Sequence, residues 1–180
     1  MPSIRVVIAD DHLIVRQTLH NFLQKVPDIE VIGLAADGSQ ALHLAETLVP
    51  DVLLLDMEMP VMTGVEVARR LREMNSPVRV LAVSAYDDKQ YILGSLAAGA
   101  AGYFLKEEGL DTISQAVRDI SGGEQLWLSQ RVSTQLSSWL QQEKVEPVTL
   151  SDSEEEMLRL VAQGKSTKQI AQTLNLSKET

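Results

Sequence analysis

Two hydrophobic periodicities alternate along the first part of the chain, and that alternation constrains the fold more than any other feature. Short runs rich in β-branched residues occur at Ile4–Ala9, Ile29–Leu34, Val52–Leu55, Val78–Val83 and Tyr103–Leu105. Their starts lie about 23 to 26 residues apart, which is the spacing of strand–helix units. Between them, apolar residues return to one helical face: Val15, Leu19, Phe22, Leu23 and Val26, then Ala41, Leu44, Ala45 and Leu48, then Val67, Ala68, Leu71 and Met74. A weaker fourth stripe carries Ile92, Leu93, Leu96 and Ala97 with Gly94 inside it, and a clean fifth carries Leu110, Ile113, Val117 and Ile120. The strand runs are apolar throughout rather than alternating, as buried parallel strands are. Such a row of units predicts an α/β fold. Right-handed crossovers make it a (βα)5 doubly wound parallel sheet of flavodoxin-like order 2-1-3-4-5.

Gly122-Gly123 is expected to close this first domain, residues 1–122. Residues 123–148 read as a linker with one amphipathic helix marked by Val132, Leu136, Trp139 and Leu140; Gln141 to Pro147 is polar. Residues 149–180 change character. Ser151-Asp152-Ser153-Glu154 and Ser166-Thr167-Lys168-Gln169 both have the spacing of helix-starting capping boxes. Gly164 suits a helix stop, and Ser177 looks like a third N-cap. The expectation is an incomplete all-α helix-turn-helix whose third helix has only begun at Thr180.

A chain of 180 residues can bury a real core without staples, and this one has no cysteine, so it carries neither disulfide nor thiolate chemistry. No apolar run approaches the ~20 residues of a membrane span. Met1-Pro2-Ser3-Ile4-Arg5 leads straight into a strand run, so no signal peptide is expected and a cytoplasmic location is the default. The net charge is −9 and no basic stripe is present, which argues against nucleic-acid binding by the chain as a whole.

The residues that follow the strand runs carry the chemistry. Asp10 and Asp11 follow the first, Asp56 the third, Ser84 the fourth and Lys106 the fifth. A parallel sheet brings these ends to one edge, where open α/β folds place their sites. Each residue alone has a plainer reading: Asp and Ser as helix caps or turn residues, Lys106 as a solvated charge. Convergence changes that. Clustered carboxylates repel, so either a pKa rises or a cation neutralises them. Hard oxygen donors at a partly open site suit Mg²⁺, and lysine suits a phosphoryl oxygen. The set makes sense around a phosphoryl group with Asp56 as nucleophile.

With these residues in place the chain resembles the two-component response regulators of the NarL/FixJ type. The matching stretches are Ile8-Ala9-Asp10-Asp11-His12, Leu55-Asp56-Met57-Glu58-Met59-Pro60 with Gly64, Val83-Ser84-Ala85-Tyr86-Asp87-Asp88, and Ala98-Gly99 through Lys106. Leu150-Ser151 through Ser166 and Lys168-Gln169-Ile170-Ala171 match the LuxR-type helix-turn-helix. The resemblance implies a receiver followed by part of a DNA-binding domain. It implies that Asp56 accepts phosphate from a sensor histidine kinase. Asp11, Asp56 and the Glu58 backbone carbonyl would hold Mg²⁺, with Asp10 acting through a water. Ser84 would move toward the phosphoryl group, Lys106 would pair with it, and Tyr103 would turn inward as Ser84 moves. Many receivers have proline after the lysine; here Glu107 stands there, so a cis peptide is not expected.

By the same resemblance the chain is a signalling domain rather than an enzyme, its only chemistry being its own phosphorylation and dephosphorylation. Phosphorylation is expected to promote a homodimer suited to paired DNA half-sites, with no membrane partner. DNA binding belongs to the complete helix-turn-helix of the parent protein and is expected to be weak or absent here, because Ser177-Lys178-Glu179-Thr180 would only begin the recognition helix. Three other readings fit the residues less well. A phosphatase of the haloacid dehalogenase type usually wants aspartate two positions after the nucleophile, and Glu58 stands there. A receiver that has lost phosphorylation usually lacks a site residue, and none is missing. A nucleotide-binding flavodoxin-like protein would want a glycine-rich loop after the first strand, which is absent.

Overall fold

The computed structural model describes residues 3–124 and 126–142. Strands and helices alternate as β1 (Ile4–Ala9), α1 (Leu13–Leu23), β2 (Ile29–Ala35), α2 (Gly38–Leu48), β3 (Val52–Asp56), α3 (Gly64–Glu73), β4 (Arg79–Ser84), α4 (Lys89–Ala98), β5 (Gly102–Leu105), α5 (Leu110–Ser121), β6 (Trp127–Leu128) and α6 (Gln130–Gln142). The strands form one parallel sheet in the order β2-β1-β3-β4-β5-β6. The flavodoxin-like order 2-1-3-4-5 is therefore present, extended by one short strand. Chain direction reverses across the sheet between β1 and β3, the switch point at which open α/β sheets place ligands.

Pleating sorts the strand side chains to two faces. Val6 and Ile8 of β1, Val52 and Leu54 of β3, Leu81 and Val83 of β4 and Phe104 of β5 form one core with Leu19 and Leu23 of α1 and Ile113, Ala116, Val117 and Ile120 of α5. Val7, Leu53, Leu55, Ala82 and Leu105 alternate with them and are also buried, with Ala41, Ala45, Val67, Ala68, Leu71 and Ile92 of α2, α3 and α4. Both faces are thus covered, which is why the strands are apolar at every position. Local signals start the helices. The Asp37 carboxylate accepts from the Gln40 N–H at 2.8 Å to cap α2, and Thr63 and Glu66 close a reciprocal capping box on α3.

Two elements depart from the sequence reading. Trp127–Leu128 pairs with Gly102–Tyr103 as β6, so the segment expected to hold one helix also contributes a strand. Two residues are too few to show a period. The buried face of α4 is Ile92, Ser95 and Ala98 rather than the Ile92, Leu93, Leu96, Ala97 stripe; Leu93 is exposed. Ser95 can sit inside because its hydroxyl donates to the Tyr91 carbonyl one turn back, 2.8 Å away.

The expected linker helix is α6, which also takes in Gln141 and Gln142. Residues up to Ser138 belong to the same compact unit as the sheet. The expected helix-turn-helix, with its caps at Ser151, Ser166 and Ser177, lies outside the described residues. No helix among the described residues is long and apolar enough to cross a membrane.

Candidate functional site

Strand register builds the site. Ala9 lies beside Leu55, Asp56 beside Val83 and Ser84 beside Leu105. Asp10, Asp56, Ser84 and Lys106 therefore step off neighbouring strands at nearly one level, and the Lys106 N–H closes onto the Ser84 carbonyl at 2.8 Å. Asp10, Asp56 and Ser84 are buried polar residues at the end of an apolar sheet. Groups so placed need partners.

They have them. The Lys106 ammonium bridges two carboxylates, 2.7 Å from Asp10 Oδ2 and 2.8 Å from Asp56 Oδ2. Asp10 Oδ1 accepts from the His12 N–H at 2.8 Å, and Asp56 Oδ1 accepts a longer bond from the Glu58 N–H at 3.3 Å. Burial pushes the Asp56 carboxyl above its ordinary range, and the neighbouring Asp10 charge adds to this; Lys106 offsets only part of it. Burial pulls Lys106 down, but its bonds to Asp10 and Asp56 outweigh that and raise it.

Asp11 lies on the more open side. Its ligand atom, with those of Asp10, His12 and Asp56, falls within a group whose members all lie within 4.8 Å of one another. His12 was not singled out in the sequence. Its Nδ1 is 2.8 Å from Asp11 Oδ1, and its only signal is adjacency to the aspartate pair. The three carboxylates carry more negative charge than Lys106 cancels. Their oxygen donors fit a hard divalent cation.

The loop after β4 is wired to its surroundings. Ser84 Oγ accepts from the Tyr86 N–H at 3.1 Å. Tyr103 is fully buried, and its hydroxyl donates to the Tyr86 carbonyl at 2.8 Å. Tyr86 and Tyr91 stack with ring centroids 4.6 Å apart, and the Tyr91 hydroxyl donates to the Glu58 carboxylate at 3.0 Å. The Glu58 carboxylate thus meets the aromatic pair while its own N–H donates to Asp56. At the root of the loop after β3, Gly64 admits a close approach: a Cβ there would lie 2.1 Å from the Asp56 carbonyl oxygen. All peptide bonds among the described residues are trans, including Lys106–Glu107.

Comparison with known proteins decides the family. The family description "Response regulator receiver domain" matches residues 6–118, and "Bacterial regulatory proteins, luxR family" matches residues 148–180. The chain belongs to the two-component response regulators. The regulator is 36% identical to the transcriptional regulatory protein LiaR of Bacillus subtilis over 98% of this chain and 85% of that one. It is 32% identical to the nitrate/nitrite response regulator NarL of Escherichia coli K12, over 97% of this chain and 82% of that one. Among solved structures it resembles the receiver domain of a NarL from Mycobacterium tuberculosis, with TM-score 0.67 and 39% identity over 68% of this chain and 99% of that one. It also resembles the response regulator ChrA of a heme-sensing two-component system, with TM-score 0.64 and 34% identity over 98% of this chain and 84% of that one. The regulator therefore combines a receiver with a LuxR-type DNA-binding region, and its fold is that of receivers.

Proposed function

We propose that Asp56 is the phosphoacceptor of this regulator and that a sensor histidine kinase supplies the phosphoryl group. One observation carries the reading: Lys106 bridges buried Asp10 and Asp56 at the sheet's switch point, with Asp11 at the open side. An Asp56 carboxylate oxygen attacks phosphorus, the phosphorus–nitrogen bond of the donor's phosphohistidine breaks, and the imidazole leaves with that electron pair and takes up a proton. Asp11, Asp56 and the Glu58 backbone carbonyl would hold Mg²⁺, with Asp10 at one remove through a water. When bound, the ion supplies positive charge against the carboxylates and the phosphoryl oxygens.

The protein's own groups do the rest. Phosphorylation replaces one negative charge on Asp56 with about two. Lys106 can follow one phosphoryl oxygen without leaving the site. Ser84 moves to donate its own hydroxyl proton to another, while its oxygen still accepts from the Tyr86 N–H. That movement carries Tyr86 with it, and Tyr86 is the residue whose carbonyl holds the Tyr103 hydroxyl. Ser84 and Tyr103 therefore switch together, biasing a pre-existing equilibrium rather than creating a state. In this reading residues 1–122 receive, 123–148 link, and 149–180 belong to the DNA-binding region. The phosphorylated form dimerises in the cytoplasm, with a symmetry that suits paired DNA half-sites.

The test is intact mass after incubation with acetyl phosphate and Mg²⁺. The parent chain should gain one phosphoryl group. Neither the parent without Mg²⁺ nor Asp56→Asn should gain it. A gain retained by Asp56→Asn would overturn the assignment.

A further inference from the structure

Helix α6 is held against the receiver by a side-chain cluster that none of the roles above uses. The Arg131 guanidinium reaches two different loops. One nitrogen lies 2.6 Å from Asp87 Oδ2, in the loop that begins at Ser84; another lies 2.9 Å from Glu107 Oε2, directly after Lys106. Gln135, one turn along α6, donates to the same Asp87 oxygen at 3.0 Å. A rigid guanidinium fork suits two acceptors at once, where a lysine would hold one at a time. Glu107 occupies the position where many receivers have proline, so this chain has a carboxylate available there for Arg131.

We propose that Arg131 and Gln135 make α6 a brake on the switch: docked α6 holds the Ser84 loop in its unphosphorylated position, and closing of that loop on a phosphoryl group loosens α6. The proposal rests on the phosphoacceptor reading and adds a route of regulation to it. Asp87 is three residues beyond Ser84 and directly follows Tyr86, which holds both the Ser84 and the Tyr103 hydroxyls. In this proposal the movement that draws Ser84 toward Asp56 takes Asp87 away from Arg131 and Gln135. The docked state is also imperfect, because Gln135 Oε1 is buried without a hydrogen-bond partner. Val132 is fully buried and anchors the first turn, so loosening concerns the helix beyond it. Coupling of this kind is reciprocal: whatever phosphate does to α6, loss of the α6 contacts does to phosphate affinity. In sequence, α6 leads toward residues 148–180, the luxR-type region.

Beryllofluoride with Mg²⁺, a phosphoryl mimic, tests this on the full chain. Binding is followed by fluorine NMR, and hydrogen exchange is followed in the peptide covering residues 130–138. Arg131→Ala should bind beryllofluoride about two- to fivefold more tightly than the parent, a modest factor because all three charged groups are partly exposed. Arg131→Lys should fall between the two. Exchange in the α6 peptide should rise when the parent binds beryllofluoride, and should already be raised in Arg131→Ala without it. Gln135→Ala should move both readings in the same direction by less. Equal or weaker binding by Arg131→Ala, or α6 exchange indifferent to beryllofluoride, would overturn the brake while leaving the phosphoacceptor intact. Failure of the parent to bind beryllofluoride would overturn the phosphoacceptor reading and the brake with it.

Discussion

Tyr103 shows what a single side chain contributes here. Its ring is wholly buried, and its hydroxyl has a carbonyl partner on a loop that must move. Tyr103→Phe should cost about 1–2 kcal/mol in chemical denaturation at neutral pH, since the Tyr86 carbonyl loses its donor. Burial pushes the phenol up from 10.0 to about 12. A folded value above the unfolded one means that the neutral hydroxyl's contribution is complete below about pH 10 and is lost as the pH climbs toward 12. The Phe variant should therefore close the gap to the parent over that window, and a gap that stays constant would sink the argument. Most site residues were legible in the sequence because each follows an apolar strand run. Tyr103 was not legible on the same terms. It lies inside a strand, where an aromatic is ordinary core, and its role comes from the resemblance. Arg131 left no signal, since its partners are 24 and 44 residues away.

At the scale of elements, the turn from β3 into α3 fixes where Asp56 points. Gly64 opens α3 directly against the Asp56 backbone, and the Gly64 N–H donates to the Met57 carbonyl at 3.1 Å. Adding one methyl there must push the helix start away from the strand end. Gly64→Ala should lose at least ~2 kcal/mol of stability and, in whatever fraction folds, slow phosphorylation at Asp56. Denaturation and the intact-mass assay read the two effects separately; a fully stable, fully active variant would mean the turn can yield. The helix stripes on α1, α2, α3 and α5 were readable because each apolar face is long and one-sided, though Val26 and Met74 fall past the ends of α1 and α3 and Met74 is exposed. That on α4 was misread because a serine satisfied within its own helix can replace an apolar residue, and periodicity counts only apolar ones. The short strand β6 was missed for want of length.

At the scale of the whole molecule, the proposed function requires a charge added at Asp56 to alter what the luxR-type region does. The chain's negative charge leaves little long-range attraction for nucleic acid, so output must come from geometry rather than from the field. The symmetric dimer of the proposed function would supply that geometry by setting half-site spacing. Light scattering of the beryllofluoride-bound chain should show twice the monomer mass at concentrations where the free chain is monomeric; an unchanged monomer at saturation would exclude phosphorylation-driven pairing. The strand order of the first domain was evident from the pattern of runs and the handedness of crossovers, and its kind, a receiver, came from the resemblance. The extent of its compact unit was not, because Gly122-Gly123 looks like an end in sequence while the chain turns back there to add Trp127 and Leu128 to the sheet.

That return has a practical side. The short sixth strand occupies the free hydrogen-bonding rim of β5, and Trp127 covers Phe104 with ring centroids 6.4 Å apart. A receiver excised after Gly122 would bare both the rim and the aromatic, and rims of that sort recruit strands from other molecules. Such a fragment should self-associate without any phosphoryl mimic, visible as concentration-dependent mass growth that a fragment ending at Ser138 does not show. Dimerisation measured on the shorter piece would then report glue, not signal.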